Sequence, residues 1–281
     1  MIAVALGLTS SLCWGIADFM GGVASRRMPV LIVLAVSQVV GLLLLVVVLT
    51  LHGEGPPEAH HLAVAALSAF AGVGALAAFY RGLAVGTMAV VAPISATAAV
   101  VPVVVGVATG ERPEAVQLGG IVLAVLGVML ASREEVEHGE RRGLATGAGL
   151  ALVAALGFGL FFVLIDSASE GDVWWALLVN RVTGVTMLLA VALVVRPSTE
   201  YLELSDGRIL VGVGAFDVSA NASFAVASTE GLVSVVGVCS SLYPVVTVLL
   251  ARFILSERVR SLQLAGVALA LMGVVAIGAG G

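Results

Sequence analysis

Residues 110–130 read GERPEAVQLGGIVLAVLGVML, and residues 256–276 read SERVRSLQLAGVALALMGVVA. Aligned without a gap, the two stretches share a Glu-Arg pair, a glutamine and spaced glycines. The matched residues are Glu111, Arg112, Gln117, Leu118, Gly120, Leu123, Ala124, Gly127 and Val128, against Glu257, Arg258, Gln263, Leu264, Gly266, Leu269, Ala270, Gly273 and Val274. Apolar sequence produces chance matches among Val, Ala and Leu, but it rarely produces matching polar pairs. The repetition indicates a chain built from two related halves.

The composition is that of a membrane protein. The chain of 281 residues is 60% hydrophobic and 11% charged, with a mean hydropathy of +1.16, whereas a soluble domain carries roughly 25% charged residues. About 20 apolar residues cross a bilayer as a helix. Ten apolar runs approach that length: 2–22, 29–50, 61–83, 86–107, 115–132, 143–165, 173–195, 208–228, 232–255 and 261–279. We predict ten transmembrane helices in a multi-pass protein of the plasma membrane.

The two halves are predicted to have opposite orientations in the membrane. The first half is residues 1–132 and the second is 143–281, on either side of the longest polar stretch. Each half holds five predicted helices, and an odd number of crossings makes the second half enter from the opposite side. Inverted repeats of this kind build many secondary transporters, whose substrate sites lie near the midplane. The predicted fold is an all-α integral membrane protein, with two inverted five-helix repeats around a central cavity.

The second half carries the most specific motif, SSLYPVVTVLLARFILSERVRSLQLAGVALALMGV at 240–274. This stretch resembles the EamA-type repeat of the drug/metabolite transporter superfamily, and the resemblance extends over nearly the whole chain as two EamA-like units. It implies ten helices around a central cavity and the export or exchange of small metabolites by alternating access, but it names no substrate. The first half departs from the pattern at 95–111, SATAAVVPVVVGVATGE, where the proline is displaced. We therefore expect the halves to contact substrate unequally.

The first apolar run contains an acid, in SSLCWGIADFMGG at 10–22. A charged side chain inside the bilayer costs a few kcal/mol, so such residues usually face a cavity or a partner. Helical spacing places Ser11, Trp14 and Asp18 on one face. That face could bind a cationic or zwitterionic ligand, or Asp18 could bind a coupling proton. The alternatives are a structural partner for Asp18 and a solvated position near the interface.

Two further charged residues lie within apolar runs. Asp217, Asn221, Phe224 and Ser228 follow the spacing of one helix face, which predicts a polar wall; hydrogen bonds between helices are the alternative. Arg181 could pair with Asp18, with Asp217 or with a substrate carboxylate, which suits a bidentate guanidinium. The alternative for Arg181 is a side chain that extends to the membrane interface.

Proline and hydroxyl residues interrupt the fourth and ninth apolar runs. Proline removes a backbone donor and kinks a helix, and broken helices at related depths in two repeats mark transporter sites. A static kink used for packing is the alternative. The predicted hinges are Pro93, Pro102 and Pro244, and the predicted contacts in these runs are Ser95, Ser240 and Tyr243.

The remaining polar segments indicate neither an enzyme nor a metal protein. The segment HGEGPPEAHH at 52–61 lacks the i, i+4 histidine spacing of a strong zinc motif, and we predict no metal site and no cofactor. Glu111 with Arg112 is interpreted as an ion pair at a helix end. No Walker A, HExxH or GxSxG motif occurs. We predict a transporter, with a membrane-embedded enzyme and a non-transporting membrane protein as the alternatives.

The expected function is secondary active transport of small metabolites such as amino acids, drugs and related polar compounds, in the direction of export. The expected partners are the lipid bilayer and a small-molecule substrate. Protons are a candidate coupling ion, and a second copy of the chain is a candidate partner. The sequence has no basic patch with interleaved aromatic residues, so no nucleic acid partner is expected.

Overall fold

The computed structural model describes residues 1–25, 28–85, 95–131, 144–198, 206–254 and 261–279, and within these ranges the chain is helical apart from short turns and connections, with no strand. These residues form eleven α-helices and one short 3₁₀ helix. In chain order the elements are α1 (Ile2–Ser25), α2 (Val30–His52), α3 (Ala59–Val85), the 3₁₀ helix (Ala96–Ala99), α4 (Val100–Thr109), α5 (Ala115–Ala131), α6 (Leu144–Ser169), α7 (Val173–Val195), α8 (Asp206–Glu230), α9 (Val233–Ser240), α10 (Tyr243–Ile254) and α11 (Ser261–Ala279).

The helices have the length and polarity of membrane spans. Within the described residues, six helices are long and apolar enough to cross a bilayer, and shorter apolar helices accompany them. Their outer surface is apolar: Leu193 and Val275, for example, are 75% and 72% exposed. A large exposed apolar surface of this kind suits contact with lipid. The predicted all-helical membrane fold is confirmed at this level, while the number of ten crossings stays a prediction.

Most helix contacts join the first half to the second. α1 packs on α8 and α3 packs on α6, so the first helix of each half meets the third long helix of the other. α2 packs on α7, and α5 packs on α11. The second helix of each half thus meets the second of the other, and the last meets the last. This two-fold pattern of contacts is expected for two related units. The main apolar core, which includes Phe162, Ile165, Leu177 and Phe224, lies between them.

The crossing of α5 and α11 brings the repeated residues of the opening alignment into contact. A Cβ atom placed on Gly127 would lie 2.6 Å from the Cα of Ala270, and one placed on Gly273 would lie 2.8 Å from the Cα of Ala124. Gly127 and Gly273 are alignment partners, as are Ala124 and Ala270. The two helices therefore approach backbone to backbone, which only small residues allow.

We expect Gly127→Ala to destabilise the protein, because the added methyl group meets the backbone of α11, which cannot rotate away. Overpacking of this kind costs about 1–3 kcal/mol. Gly119→Ala on the same helix is the matched control, since a Cβ there meets no atom within 4 Å. That control should be neutral or slightly stabilising, because alanine favours a helix over glycine. Thermal unfolding in detergent measures both variants, and equal melting temperatures would contradict the close crossing.

Short helices from the fourth and ninth apolar runs contact each other. The ninth apolar run divides into α9 and α10, where the N–H of Leu242 donates to the Cys239 carbonyl at 3.3 Å. Pro244 lies in the first turn of α10, and Pro102 lies in the first turn of α4 after the 3₁₀ helix. A Cβ on Gly237 would lie 2.9 Å from the Cγ of Pro102, so α4 and α9 touch there. The action of Pro102 and Pro244 as hinges stays a prediction. The third predicted hinge, Pro93, lies outside the described residues.

Candidate functional site

A cavity of about 120 Å³ lies between the halves, surrounded by α1, α2, α3, α6, α7, α8 and the start of α10. It collects residues that are far apart in the sequence. Among the predicted contacts, those on its wall are Trp14, Asp18, Arg181, Asp217, Asn221 and Tyr243. Arg181 and Asp217 lie near the middle of the long helices α7 and α8, and Tyr243 lies where α9 gives way to α10, so this polar surface is far from both ends of the bundle.

Arg181 holds the polar side of the cavity together. Its Nη1 donates to Oδ2 of Asp217 at 2.7 Å and also to Oε1 of Gln38. The side chain of Arg181 is 3% exposed, so it does not extend to the membrane interface. Asp217 is 23% exposed and faces the cavity. A buried guanidinium needs a compensating charge and hydrogen bonds, and α8 and α2 supply both.

A glycine on α2 makes room for this guanidinium. A Cβ on Gly41 would lie 3.4 Å from both Cζ and Nε of Arg181. The Arg181 side chain therefore rests against the backbone of α2, one turn from Gln38. Its Nε has no hydrogen-bond partner in the described part of the chain. The position of Arg181 is thus set by Gln38, Asp217 and the absence of a side chain at residue 41.

Asp18, unlike Asp217, is an acid of the cavity wall that is not paired with Arg181. It lies on the cavity wall, and the described residues provide it with no ion-pair partner. Arg181 and Asp217 neutralise each other, so an ionised Asp18 gives the cavity a net negative charge. A carboxylate held in a low-dielectric cavity without a partner attracts a cation strongly. The cavity can therefore receive a positively charged group at Asp18.

Aromatic rings line the cavity next to Asp18. The ring centroid of Trp14 lies 5.6 Å from that of Phe162, 6.1 Å from Phe224 and 6.4 Å from Tyr243. Phe162 and Phe224 stack at 4.8 Å. Trp14, Phe162 and Tyr243 line the cavity, whereas Phe224 is fully buried behind them. Because Trp14 precedes Asp18 by about one helical turn, the indole and the carboxylate lie close together on the same wall. Aromatic faces attract cations and apolar groups alike.

Several cavity residues were not predicted from the sequence. Gln38 and Asn180 line it, and Nδ2 of Asn180 donates to Oγ of Ser68 at 2.8 Å. Gln38 stands in the strongly apolar run IVLAVSQVVGLLLL, where a polar amide is itself a signal. Phe161 and Phe162 belong to the aromatic stretch GFGLFF at 157–162. Each could have been noticed, but its orientation depends on how α2, α6 and α7 pack.

The two predicted serine contacts lie elsewhere. Ser95 is 1% exposed and is not part of the cavity wall. Oγ of Ser240 donates to the carbonyl of Gly7 at 3.3 Å, which links α9 to α1. Ser228, on the predicted face of α8, donates to the carbonyl of Ala225 and borders a different pocket. Hydrogen bonding between helices and within a helix accounts for the hydroxyl groups of Ser240 and Ser228.

Asn221 combines both roles that the sequence left open. Its Nδ2 donates to the backbone carbonyl of Asp217 at 2.7 Å, within α8. It also lines the cavity beside Asp217. The amide is therefore fixed by its own helix, with its remaining polar surface available on the wall.

Comparison with known proteins agrees with this architecture. A family profile described as the EamA-like transporter family matches residues 1–133 and again 145–279. A solved structure described as "Crystal structure of protein" superposes with a TM-score of 0.84, covers 98% of this chain and 98% of that chain, and is 16% identical. That likeness shows a shared fold. Among curated proteins, none matches the sequence. Because the profile matches nearly the whole chain in two consecutive segments, the protein belongs to the EamA-like transporter family.

Proposed function

We propose that this protein is a secondary active transporter in the plasma membrane, which exports small organic molecules through the central cavity by alternating access. Members of its family are generally transporters. The observation that carries the finer proposal is that Asp18, which has no ion-pair partner in the described part of the chain, shares a cavity wall with the indole of Trp14. The proposed substrates carry a positively charged amine and an apolar body, as many drugs and amino acids do.

The charge balance of the cavity supports this class of substrate. Arg181 is already neutralised by Asp217 and hydrogen-bonded to Gln38, so a substrate carboxylate gains less from it than from a free arginine. The amine instead meets Asp18, and the apolar body lies against the Trp14, Phe162 and Tyr243 rings. A zwitterion fits when its carboxylate lies near the Arg181–Asp217 pair. An anion without an amine meets net negative charge and is rejected.

The size of the cavity supports a contracted state. Small-molecule sites usually enclose about 300–1,000 Å³, and this cavity encloses about 120 Å³. A drug-sized substrate therefore needs the halves to separate before it can enter. The residues that line the cavity come from both halves. Movement of one half against the other therefore widens the cavity, as alternating access requires.

Two coupling mechanisms follow from Asp18. In the first, Asp18 binds the substrate amine and takes up a proton when the substrate leaves. The same carboxylate then binds the amine and the proton alternately. In the second, Asp18 binds only amines, and one substrate exchanges for another. The first mechanism makes transport depend on a pH gradient, and the second does not. Measuring transport with and without an imposed gradient separates the two.

The first test of this function is uptake by proteoliposomes of three matched probes with one aromatic body: an amine, an amino acid and a carboxylic acid. We expect the amine and the amino acid to be transported and the acid to be excluded. Trp14→Ala should weaken the apparent affinity for the amine by roughly tenfold, the effect of one cation–π and stacking contact. Trp174→Ala, which removes an indole outside the cavity wall, is the matched control. Preferred uptake of the acid would contradict the proposal.

A further inference from the structure

Glu111 connects the two halves at one end of the bundle. It follows α4 in the first half, and its carboxylate accepts hydrogen bonds from α9 in the second half. Oε1 accepts from the backbone N–H of Val233 at 2.9 Å, and Oε2 accepts from Oγ of Ser234 at 2.5 Å. The sequence suggested an ion pair with Arg112, but the described residues show no such pair. The carboxylate instead caps a helix of the other half, which favours negative charge at this position.

The approach of Glu111 to α9 is shaped by a glycine. A Cβ on Gly106 would overlap the Glu111 carboxyl group, with 2.6 Å to its Cδ. The backbone N–H of Glu111 donates to the Gly106 carbonyl at 2.8 Å, and Gly110 between them has a positive φ of 108°. The turn from α4 thus folds back tightly, and the missing side chain at residue 106 leaves the space that the carboxylate fills.

Other contacts between the halves lie at the same end. Nε1 of Trp175 donates to the carbonyl of Glu54 at 3.1 Å. The His61 ring lies 3.4 Å, at Nδ1, from the carbonyl of Ser167. A Cβ on Gly231 would lie 2.6 Å from the Cβ of Ala3, at the start of α1. These residues all lie at the ends of helices or just beyond them, so this end of the bundle is closed by contacts between the halves.

We propose that Glu111 is the latch that holds this end of the transport path closed, the latch being its two hydrogen bonds to Val233 and Ser234. The latch rests on the proposed alternating access. Opening at this end requires α9 to move away from the α4–α5 turn, and both hydrogen bonds must then break. Charge-assisted hydrogen bonds are about twice as strong as neutral ones. Glu111 is therefore a positioning residue that sets which end is closed, without contacting substrate.

Cys239 provides a native reporter of this movement. It lies on α9, is fully buried and packs against α1, where a Cβ on Gly7 would lie 2.9 Å from its Cβ. The chain has only one other cysteine, Cys13. In a Cys13→Ala background, the rate at which a water-soluble maleimide alkylates Cys239 reports how often α9 leaves α1.

The opposite end needs a second reporter. Ala24 is 2% exposed and packs with Met28, Val33 and Leu210. It lies near the end of α1 (Ile2–Ser25, 24 residues), about 30 Å from Ala3 at the helical rise. Ala24→Cys in a chain without Cys13 and Cys239 places one thiol there. Rocking of the halves opens one end as it closes the other, whereas general loosening exposes both.

The experiment compares maleimide alkylation of the full-length reconstituted protein carrying Glu111→Gln, Ser234→Ala or Gly106→Ala. Gly106→Ala displaces the carboxylate sterically and leaves its chemistry intact. Glu114→Gln is the matched control, because it neutralises an exposed acid in the same turn. We expect alkylation of Cys239 to accelerate by roughly tenfold in the first three variants, the shift expected for one lost hydrogen bond to a charged group. The thiol introduced by Ala24→Cys should react no faster.

Each other result overturns the latch. Unchanged alkylation of Cys239 means that Glu111 does not hold α9, and faster alkylation at both ends means that the substitutions loosen the whole bundle. The readout needs no substrate, so the outcome is independent of the uptake experiment. Faster alkylation at Cys239 alone, in a protein that transports none of the three probes, would retain the latch and refute the proposed substrate class.

Discussion

Asp18→Asn is expected to lower transport of amines by about a hundredfold in either coupling mechanism, and to abolish the dependence of transport on an imposed pH gradient if Asp18 carries the proton. The substitution keeps the size of the side chain and removes its charge. An amine in the cavity then faces the neutral Arg181–Asp217 pair and no free carboxylate. Loss of a hydrogen-bonded charge partner in a desolvated site costs about 2–5 kcal/mol, which corresponds to a hundredfold loss within that range.

The measurement is efflux from proteoliposomes of a pooled amino-acid and metabolite panel, with and without a pH gradient. Asp172→Asn is the control, because Asp172 caps α7 by accepting from the N–H of Trp175 at 2.8 Å, outside the cavity. Asparagine is about as good a helix cap as aspartate. If Asp18→Asn transports as the unchanged protein does, Asp18 is a structural acid. The coupling site must then be sought at Asp217 and Arg181.

Asp18→Asn could also keep the gradient dependence of transport while binding amines more weakly. That result would show that Asp18 binds substrate while another group carries the proton. Loss of amine affinity in a protein whose transport never depended on the gradient would favour exchange. The two coupling mechanisms therefore predict different gradient dependence of transport in the unchanged protein as well as in Asp18→Asn. The two can be distinguished even if the variant is inactive.

Arg181→Gln is expected to lower the free energy of unfolding by about 3–5 kcal/mol, the cost of leaving one member of a buried ion pair without its partner. Arg181 is 3% exposed and Asp217 is 23% exposed, so Asp217 recovers only part of this cost through solvent. Asp217→Asn in the same chain removes the stranded charge and should restore part of the stability. The double-mutant cycle from thermal unfolding in detergent measures the coupling between the two residues.

Arg208→Gln is the control for this cycle, because Arg208 is an exposed arginine near the start of α8. It should change stability by less than about 0.5 kcal/mol, as surface substitutions usually do. Additive effects of Arg181→Gln and Asp217→Asn would contradict the ion pair as a stabilising unit. Gln38→Leu in the same background tests the third member, since Gln38 also accepts from Nη1 of Arg181.

The membrane character and the importance of a few charges could be read directly from the sequence. Apolar runs of about 20 residues indicate membrane-spanning helices, because that length crosses the hydrocarbon core of a bilayer. A charge inside such a run is costly, which is why Asp18, Arg181 and Asp217 stood out. Their transport roles stay predictions, but the structure brings all three to one cavity. The α5–α11 crossing was not predicted, although the glycines that allow it are alignment partners in the repeat.

Partner choice could not be read in the same way. The sequence left Arg181 three possible partners, and the packing of α2, α7 and α8 selects Asp217 and Gln38. Glu111 stands next to Arg112 in the chain but bonds to α9. The proline-containing ninth apolar run predicted Ser240 as a substrate contact, but its hydroxyl donates to the carbonyl of Gly7. Short-range spacing gives the face of one helix, but not the neighbour that this face meets.

By itself, the sequence determined a helical membrane protein made of two related units, together with the charged residues that a bilayer tolerates only for a purpose. These features depend on local composition and periodicity, which act within a single helix. Only the tertiary structure decided that Arg181 pairs with Asp217 while Asp18 has no ion-pair partner among the described residues, and that Glu111 joins the two halves. Those outcomes depend on distances between residues more than 30 positions apart, and such distances are fixed by how the helices pack against one another.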